Sequence, residues 1–247
     1  MSVNSCKVCN SINIKNISHK VYKCESCQHT YIDYTGDGIR YHKELYRKPG
    51  HHGTRGAGEV QNGIFTKSFH DRRIPICNKR VKILKETLPT IFSECDTLLD
   101  IGAGGGTFLD TVKQSFKEVE CTEVSDLCIN NLKKRGYVVY PGSFTEINLN
   151  KTYDLVTCWH VLEHVENLQE FLKKAIEVTN KYLVLEVPIN RKLKNPDKDF
   201  DGHFHYFSSK SLELLFKKDF HILNIRDGVQ MPCLYALLQK KNIDTDD

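Results

Sequence analysis

No run of 18 or more apolar residues occurs in this 247-residue chain, which excludes a membrane-spanning helix. The opening MSVNSCKVCN lacks the apolar stretch of a secretory leader, so the expected compartment is the cytoplasm. Internal repeats and low-complexity tracts are absent too. The formal charge of +4 is small and acids are scattered among the bases, so the heavy basic bias of a protein devoted to nucleic acid is missing. What is abundant is cysteine: ten residues, four of them clustered. A reducing compartment disfavours disulfides, and the cluster then points to metal ligation.

The length suffices for one large domain, or for a full-sized domain with a small appendage. Residues 1–33 carry the paired cysteines, and 34–58 are rich in Gly, His and basic residues with little apolar periodicity, as in a linker or a substrate loop. Residues 59–94 read as a helical lead-in. Val60 to Leu88 is expected to be helical, with Ile76, Val81, Ile83 and Leu84 inward and Pro75 as a kink or second start. From 95 to 241 short β-rich runs alternate with helical stretches, which implies a parallel sheet with crossover helices, and 242–247 form a tail. Strands are expected at 97–101, 118–123, 137–140, 153–158 and 181–187, and helices at 105–115, 126–135, 165–178 and 208–218. HILNIRDGV and CLYALLQKK should close the domain as an antiparallel hairpin. The fold class is therefore α/β, a doubly wound Rossmann-like sheet with a terminal hairpin and a small N-terminal zinc ribbon.

In LLDIGAGGGTF an apolar strand delivers Asp100. Gly102, Gly104, Gly105 and Gly106 then let the chain turn sharply and present bare backbone to a ligand. The dinucleotide pattern G-x-G-x-x-G fails here because its third glycine is Thr107, which disfavours NAD. The next strand ends at Glu123, about 20 residues beyond the first glycine, where an acid can accept ribose hydroxyls. With no pyrophosphate to neutralise, an Asp-bearing turn suits an adenosyl amino acid, that is, S-adenosylmethionine (SAM).

These residues, together with YDLVTCWHVLEHV at 153–165, resemble the class I SAM-dependent methyltransferases over roughly residues 70–240. The resemblance implies that Asp100, Gly102, Ala103 and Gly104 form the cofactor loop and that Glu123, with Val124 beside it, is the ribose acid. It likewise places Ser143 and Phe144 at the adenine and Trp159 in the pocket wall. A Rossmann-like domain using another nucleotide, or none, is the plainer alternative. HVLEH also fits the zinc-peptidase string H-x-x-E-H, but that string needs one long helix, and here a strand runs into it. Related quinone-pathway O-methyltransferases carry E-x-x-E-H at this place and bind a divalent cation with it; His160 replaces the first acid, which argues against a metal here.

Methyl transfer to a hydroxyl requires alignment of the acceptor and removal of its proton, and histidine suits the second task near neutral pH. His160 and His164 stand at the rim of the fourth strand, and His203 and His205 follow the fifth. The family pattern of a His before an aromatic-Ser pair matches His205-Tyr206-Phe207-Ser208, so His205 is the first choice of base and His164 the second. Each also has a packing or capping explanation.

Cys6-x-x-Cys9 and Cys24-x-x-Cys27 can converge on a tetrahedral Zn²⁺, a structural site because four thiolates leave no position for water. A redox CxxC would need a surrounding βαβ pattern that is lacking. The other six cysteines read as packing residues. Arg47, His51, His52 and Arg55 in YRKPGHHGTRGAG make a cationic, glycine-rich segment, either a solvated linker or a loop closing over an anionic acceptor.

The leading reading is O-methylation of a small polar or anionic acceptor, such as a nucleotide-sugar, a phosphate-bearing compound or a capsule or natural-product precursor. An rRNA base methyltransferase with a zinc-ribbon RNA-binding domain is the alternative, against which stands the lack of an Asn-Pro-Pro-Tyr-like motif after strand four. A catalytically silent SAM-fold partner protein is a third reading, opposed by the intact Asp100, Gly102, Gly104 and Glu123.

Overall fold

The computed structural model describes residues 4–18, 20–33, 60–61, 64–189, 203–229 and 232–241. The segment 34–58, with Arg47, His51, His52 and Arg55, and the tail lie outside the described residues. Among the described residues no helix is long and apolar enough to cross a membrane.

Seven strands build the main sheet: β6 (Thr97–Ile101), β7 (Glu118–Glu123), β8 (Val138–Pro141), β9 (Tyr153–Trp159), β10 (Thr179–Pro188), β12 (Phe220–Asp227) and β13 (Cys233–Lys240). Their order is β12-β13-β10-β9-β6-β7-β8. The five strands from β6 to β10 run parallel, and β13 is antiparallel to both β10 and β12. The strands sit where the apolar runs predict them, and the last two form the expected hairpin. Leu98, Leu99, Leu155, Val156, Leu183, Val184 and Leu185 are wholly buried, as near-continuous apolar strands must be when helices cover both faces.

One face packs α5 (Leu168–Val178) and α6 (Ser209–Phe216). Leu168, Phe171, Leu172, Ala175 and Val178 form the inward stripe of α5, whose N-terminus is capped by Asn167 accepting from the amides of Gln169 and Glu170. Ser208 caps α6 in a reciprocal box with Ser211. The opposite face packs α1 (Lys67–Thr87), α2 (Ile91–Glu94), α3 (Thr107–Val112) and α4 (Asp126–Lys134).

The lead-in departs from its expected form. Val60–Gln61 and Ile64–Phe65 are the short antiparallel strands β4 and β5, and the helix begins at Lys67 and runs through Pro75 without a second start. Its buried residues are Phe69, Cys77, Arg80 and Leu84, a helical stripe that includes a charged residue; of the expected inward set only Leu84 is fully buried, while Ile76, Val81 and Ile83 are half-buried.

The N-terminal strands β1 (Ile14–Ser18), β2 (Val21–Cys24) and β3 (Thr30–Ile32) form a second sheet, but not an isolated one. Its fourth strand is β11 (His205–Tyr206), which comes from beyond β10 and pairs with β3 through His205 opposite Tyr31 and Tyr206 opposite Thr30. Cys6, Val8, Cys24 and Cys27 share one buried cluster with Leu168, Phe171 and Phe207.

Leu155, at the centre of the sheet and wholly buried, should tolerate truncation badly. Leu155→Ala is expected to cost about 2–5 kcal/mol in urea unfolding, and a loss below about 1 kcal/mol would show that the sheet centre is loosely packed.

Candidate active site

The sheet order reverses between β6 and its neighbours β7 and β9, and in an open parallel sheet the crevice beyond the carboxyl ends of those strands collects ligands. Here the chain leaves β6 through Gly102 at φ 68°, Gly104 at φ 56° and Gly106 at φ 75°, left-handed conformations that favour glycine. A Cβ on Gly102 would lie 2.5 Å from Val161 Cγ2, so the turn and the β9 rim touch backbone to side chain. A Cβ on Gly104 would meet nothing within 4 Å, because that residue borders open space.

The open space is a cavity of about 430 Å³, within the range of small-molecule sites. Of the cofactor residues expected from sequence, Gly102, Gly104, Glu123, Val124, Ser143 and Phe144 border it, and so do His160 and His164. Asp100 and Ala103 do not border it. Asp100 accepts a 2.6 Å hydrogen bond from the Thr157 hydroxyl, and burial pushes its carboxyl up to about 7, with that bond opposing the shift. Trp159 belongs to the other face of the sheet, edge-on to Phe108 at 4.9 Å and beneath the Arg80 guanidinium at 4.5 Å. Its indole is packing for α1 rather than pocket wall, which corrects the expected assignment.

Glu123 is the most heavily engaged of the cofactor residues. One oxygen accepts from Gly104 N at 2.6 Å, and the other from Val124 N and Ser125 N at 2.8 and 2.9 Å. Burial pushes its pKa up, and the three amide donors act against that. A carboxylate offers roughly four lone-pair positions, so about one remains for a ribose hydroxyl. Open backbone at Gly104 beside a carboxylate with spare acceptor capacity suits an adenosyl ligand.

Beyond β9 lies a buried charge network that the sequence does not announce. Glu186 on β10, fully buried, accepts from Arg80 at 2.5 Å, from His160 Nε2 at 3.1 Å and from Val229 N at 2.7 Å. His160, at φ 57°, donates its other ring N–H to Glu163 at 3.2 Å. Burial favours neutral imidazole, but the hydrogen bonds with Cys233, Glu163 and Glu186 and the charge of Glu163 outweigh it and raise His160 to about 11. Burial works against ionised Glu186 as well, yet His160 and Arg80 bring it down to about 2. His160 is therefore a fixed cation and not a base. Glu163 is wholly buried with one oxygen unpartnered, and it brings a donor atom within 4.8 Å of those of His164 and His203.

The histidine ranked first by sequence lies elsewhere. His205 is wholly buried against the ribbon, with Nδ1 3.2 Å from His29 Nε2 and Nε2 donating to the Val165 carbonyl at 2.8 Å. Both ring nitrogens are engaged and it does not border the cavity. His205 as the acceptor base is thus corrected by its place in the fold.

A family model described as a methyltransferase domain matches residues 69–219, more than half of the chain. The chain belongs to that methyltransferase family. Similar curated proteins are ubiquinone biosynthesis O-methyltransferases. The mitochondrial one of Schizosaccharomyces pombe is 35% identical over 89 residues, 32% of this chain and 32% of that protein. The one from Rickettsia bellii is 28% identical over 127 residues, 47% of this chain and 52% of that protein. The chain thus spans a third to a half of the length of these relatives. Among solved structures, magnesium protoporphyrin IX methyltransferase from Synechocystis with bound SAM superposes with a TM-score of 0.56 at 13% identity, over 84% of this chain and 98% of that one. The N-methyltransferase NodS from Bradyrhizobium japonicum, in complex with S-adenosyl-L-homocysteine, gives 0.51 at 14% identity, over 71% of this chain and 98% of that one. At these identities the likeness establishes the fold, that of the SAM-dependent methyltransferases.

In the methyltransferase's ribbon, Cys6 and Cys27 bring their sulfurs to 3.6 Å, as do Cys9 and Cys24, and all four sulfurs lie within 4.8 Å of one another. A disulfide would need about 2.05 Å. A tetrahedron with Zn–S bonds of about 2.3 Å has edges of about 3.8 Å, so the donor set fits Zn²⁺.

The network fixes a pH dependence. The raised pKa of His160 gives stability that is complete below its unfolded value of 6.5 and is lost as pH rises toward about 11. The depressed pKa of Glu186 gives stability that is complete above 4.5 and is lost as pH falls toward about 2. The His160 and Glu186 contributions to the urea midpoint should therefore be complete from about pH 4.5 to 6.5 and fall on both sides, superposed on the loss that Asp100, with its raised pKa, adds as pH rises toward about 7. Glu186→Gln, which takes the carboxylate partner from buried Arg80 and one of two from His160, is expected to cost about 3–5 kcal/mol at neutral pH and to flatten the acid limb. An acid limb unchanged in that variant would contradict the assignment.

Proposed function

We propose that this methyltransferase moves the methyl group of SAM to a hydroxyl oxygen of a small polar acceptor, with His164 taking the acceptor's proton. The observation that carries the reading is the cavity at the β6–β9 switch point, which has open glycine backbone and Glu123 on one side and His164 on the other. SAM, when bound, supplies an electrophilic methyl on a sulfonium. Gly102 and Gly104 would hold its amino-acid and ribose portions, Glu123 a ribose hydroxyl, and Ser143 and Phe144 the adenine; Asp100 would act on the glycine turn from beneath.

Of the four candidate histidines, His160 is held as a cation and His205 is committed to the ribbon. His164 borders the cavity with Nε2 3.9 Å from the buried Glu163 carboxylate, and an imidazole so placed can take up a proton from a bound hydroxyl. The ubiquinone-pathway relatives act as O-methyltransferases by name, and this supports oxygen as the acceptor atom.

The described cavity wall contains Glu123, Glu146, Glu166 and Glu170 and no lysine or arginine. Among the described lining residues the cationic His160 faces these four glutamates, so a neutral hydroxyl compound fits that wall better than a strongly charged anion. The ribbon shares a core with the catalytic domain and the wall is acidic, and both count against a nucleic-acid substrate.

Two substitutions test this. Glu123→Ala should weaken SAM binding about tenfold or more by calorimetry, the loss expected when a charged hydrogen-bond acceptor is removed. His164→Ala should lower kcat about 10²-fold on whichever hydroxyl compound of a small-molecule panel the wild type methylates fastest, with SAM affinity retained. An unchanged kcat would remove His164 from the base role.

A further inference from the structure

We infer that the cysteine ribbon is a clamp that sets the rim carrying His164, and that His29 and His205 are the positioning residues through which it acts; the metal-dependent half of this inference rests on the zinc reading above.

The rim is the single 3₁₀ turn Leu162–His164, braced internally by His164 N to Val161 O at 2.9 Å and Val165 N to Leu162 O at 3.3 Å. A turn this short does not hold itself, because fixing its backbone costs more than so few local bonds return. The carbonyls on either side of His164 are instead gripped from the ribbon side. Glu163 O accepts from Phe204 N at 2.8 Å, while Phe204 O accepts from Ile32 N on β3 at 2.9 Å. Val165 O accepts from His205 Nε2 at 2.8 Å.

A carbonyl only accepts, so His205 carries its proton on Nε2. In the neutral ring its Nδ1 is then the acceptor for His29 Nε2–H at 3.2 Å. His29 Nδ1, without a proton in that tautomer, lies 4.0 Å from Cys6 Sγ, so the ring packs against the sulfur and does not hydrogen-bond to it. Both rings are wholly buried and stack 5.2 Å apart, with Phe207 5.2 Å from His29 on a further side. A line of contacts thus runs from a cysteine of the quartet to the backbone beside His164, and a second anchor, Ser208 Oγ to Cys27 O at 2.7 Å, fixes the start of α6 to the other knuckle. A ribbon of about 30 residues has too little core to hold this shape unaided, so a bound metal would supply the rigidity that it passes to the rim.

Zinc content of the purified full-length protein is measured first, followed by hydrogen exchange of the peptide covering 161–167 before and after zinc is stripped with a chelator. Stripping is expected to speed exchange there about tenfold or more and to leave 97–101 and 153–159 protected. His205→Ala and His29→Phe, with zinc retained, should give the same local rise and a kcat lowered about tenfold, with affinity for S-adenosyl-L-homocysteine within about threefold of wild type. His205→Gln, whose amide N–H can still reach the Val165 carbonyl, should restore both protection and kcat. Zinc present with 161–167 unmoved by its removal would overturn the metal-dependent clamp and leave the zinc site standing. Protein that carries no zinc would overturn the zinc reading, and the His205 and His29 variants would still decide the clamp. If His205→Ala loses protection throughout the sheet, His29→Phe decides alone: unchanged exchange at 161–167 in that variant overturns the positioning role.

Discussion

The buried carboxylate of Glu186 is the fixed point on which the rest of the structure depends. A charge with no exposure is tolerable only if it is paired and hydrogen-bonded, and Glu186 meets that condition with Arg80 from α1, His160 after β9 and the Val229 amide after β12. Of these partners His160 also borders the cavity. Losing Arg80 would remove the guanidinium partner of Glu186 and leave His160 as its remaining cation. Trp159 joins in by lying beneath the Arg80 guanidinium, which ties α1 to the sheet through a second contact of the same residue.

On the other side of the cavity a second carboxylate plays a similar part with backbone instead of side chains. Glu123 holds the amides of Gly104, Val124 and Ser125 and so keeps the end of β7 against the glycine turn of β6. Gly102 and Gly104 at one edge of the cavity and His164 at the β9 rim are the features on which the proposed methyl transfer rests. The ribbon completes the arrangement through β11, which makes it a wall of the catalytic domain and not an appendage.

Most of the fold was legible in the amino-acid sequence because its signals are local. Apolar runs such as LLDI and YLVLEV mark buried strands, glycines in series mark a turn, and cysteine pairs with two residues between them mark a knuckle. The terminal hairpin was legible for the same reason. The charge network was not, since Arg80 and Glu186 are 106 residues apart and each looks like an ordinary surface residue in its own segment. A helix stripe read from apolar spacing passes over Arg80 and favours Ile76, which the structure leaves half-buried. His205 misled for a related reason: its position after the fifth strand is the one expected of a base, but its strand partner is Tyr31, 174 positions earlier by number, and nothing near either residue signals that pairing. The β4–β5 hairpin was hidden by helix-like spacing in the residues that follow it.

In the proposed reaction the crevice between the glycine turn and the β9 rim receives the adenosyl methyl donor. A crystal structure of the full-length protein with S-adenosyl-L-homocysteine tests it most directly. The ribose is expected within hydrogen-bonding reach of Glu123, the adenine beside Phe144 and the sulfur facing His164. Ligand bound elsewhere, or a crevice left empty at saturating concentration, would contradict it.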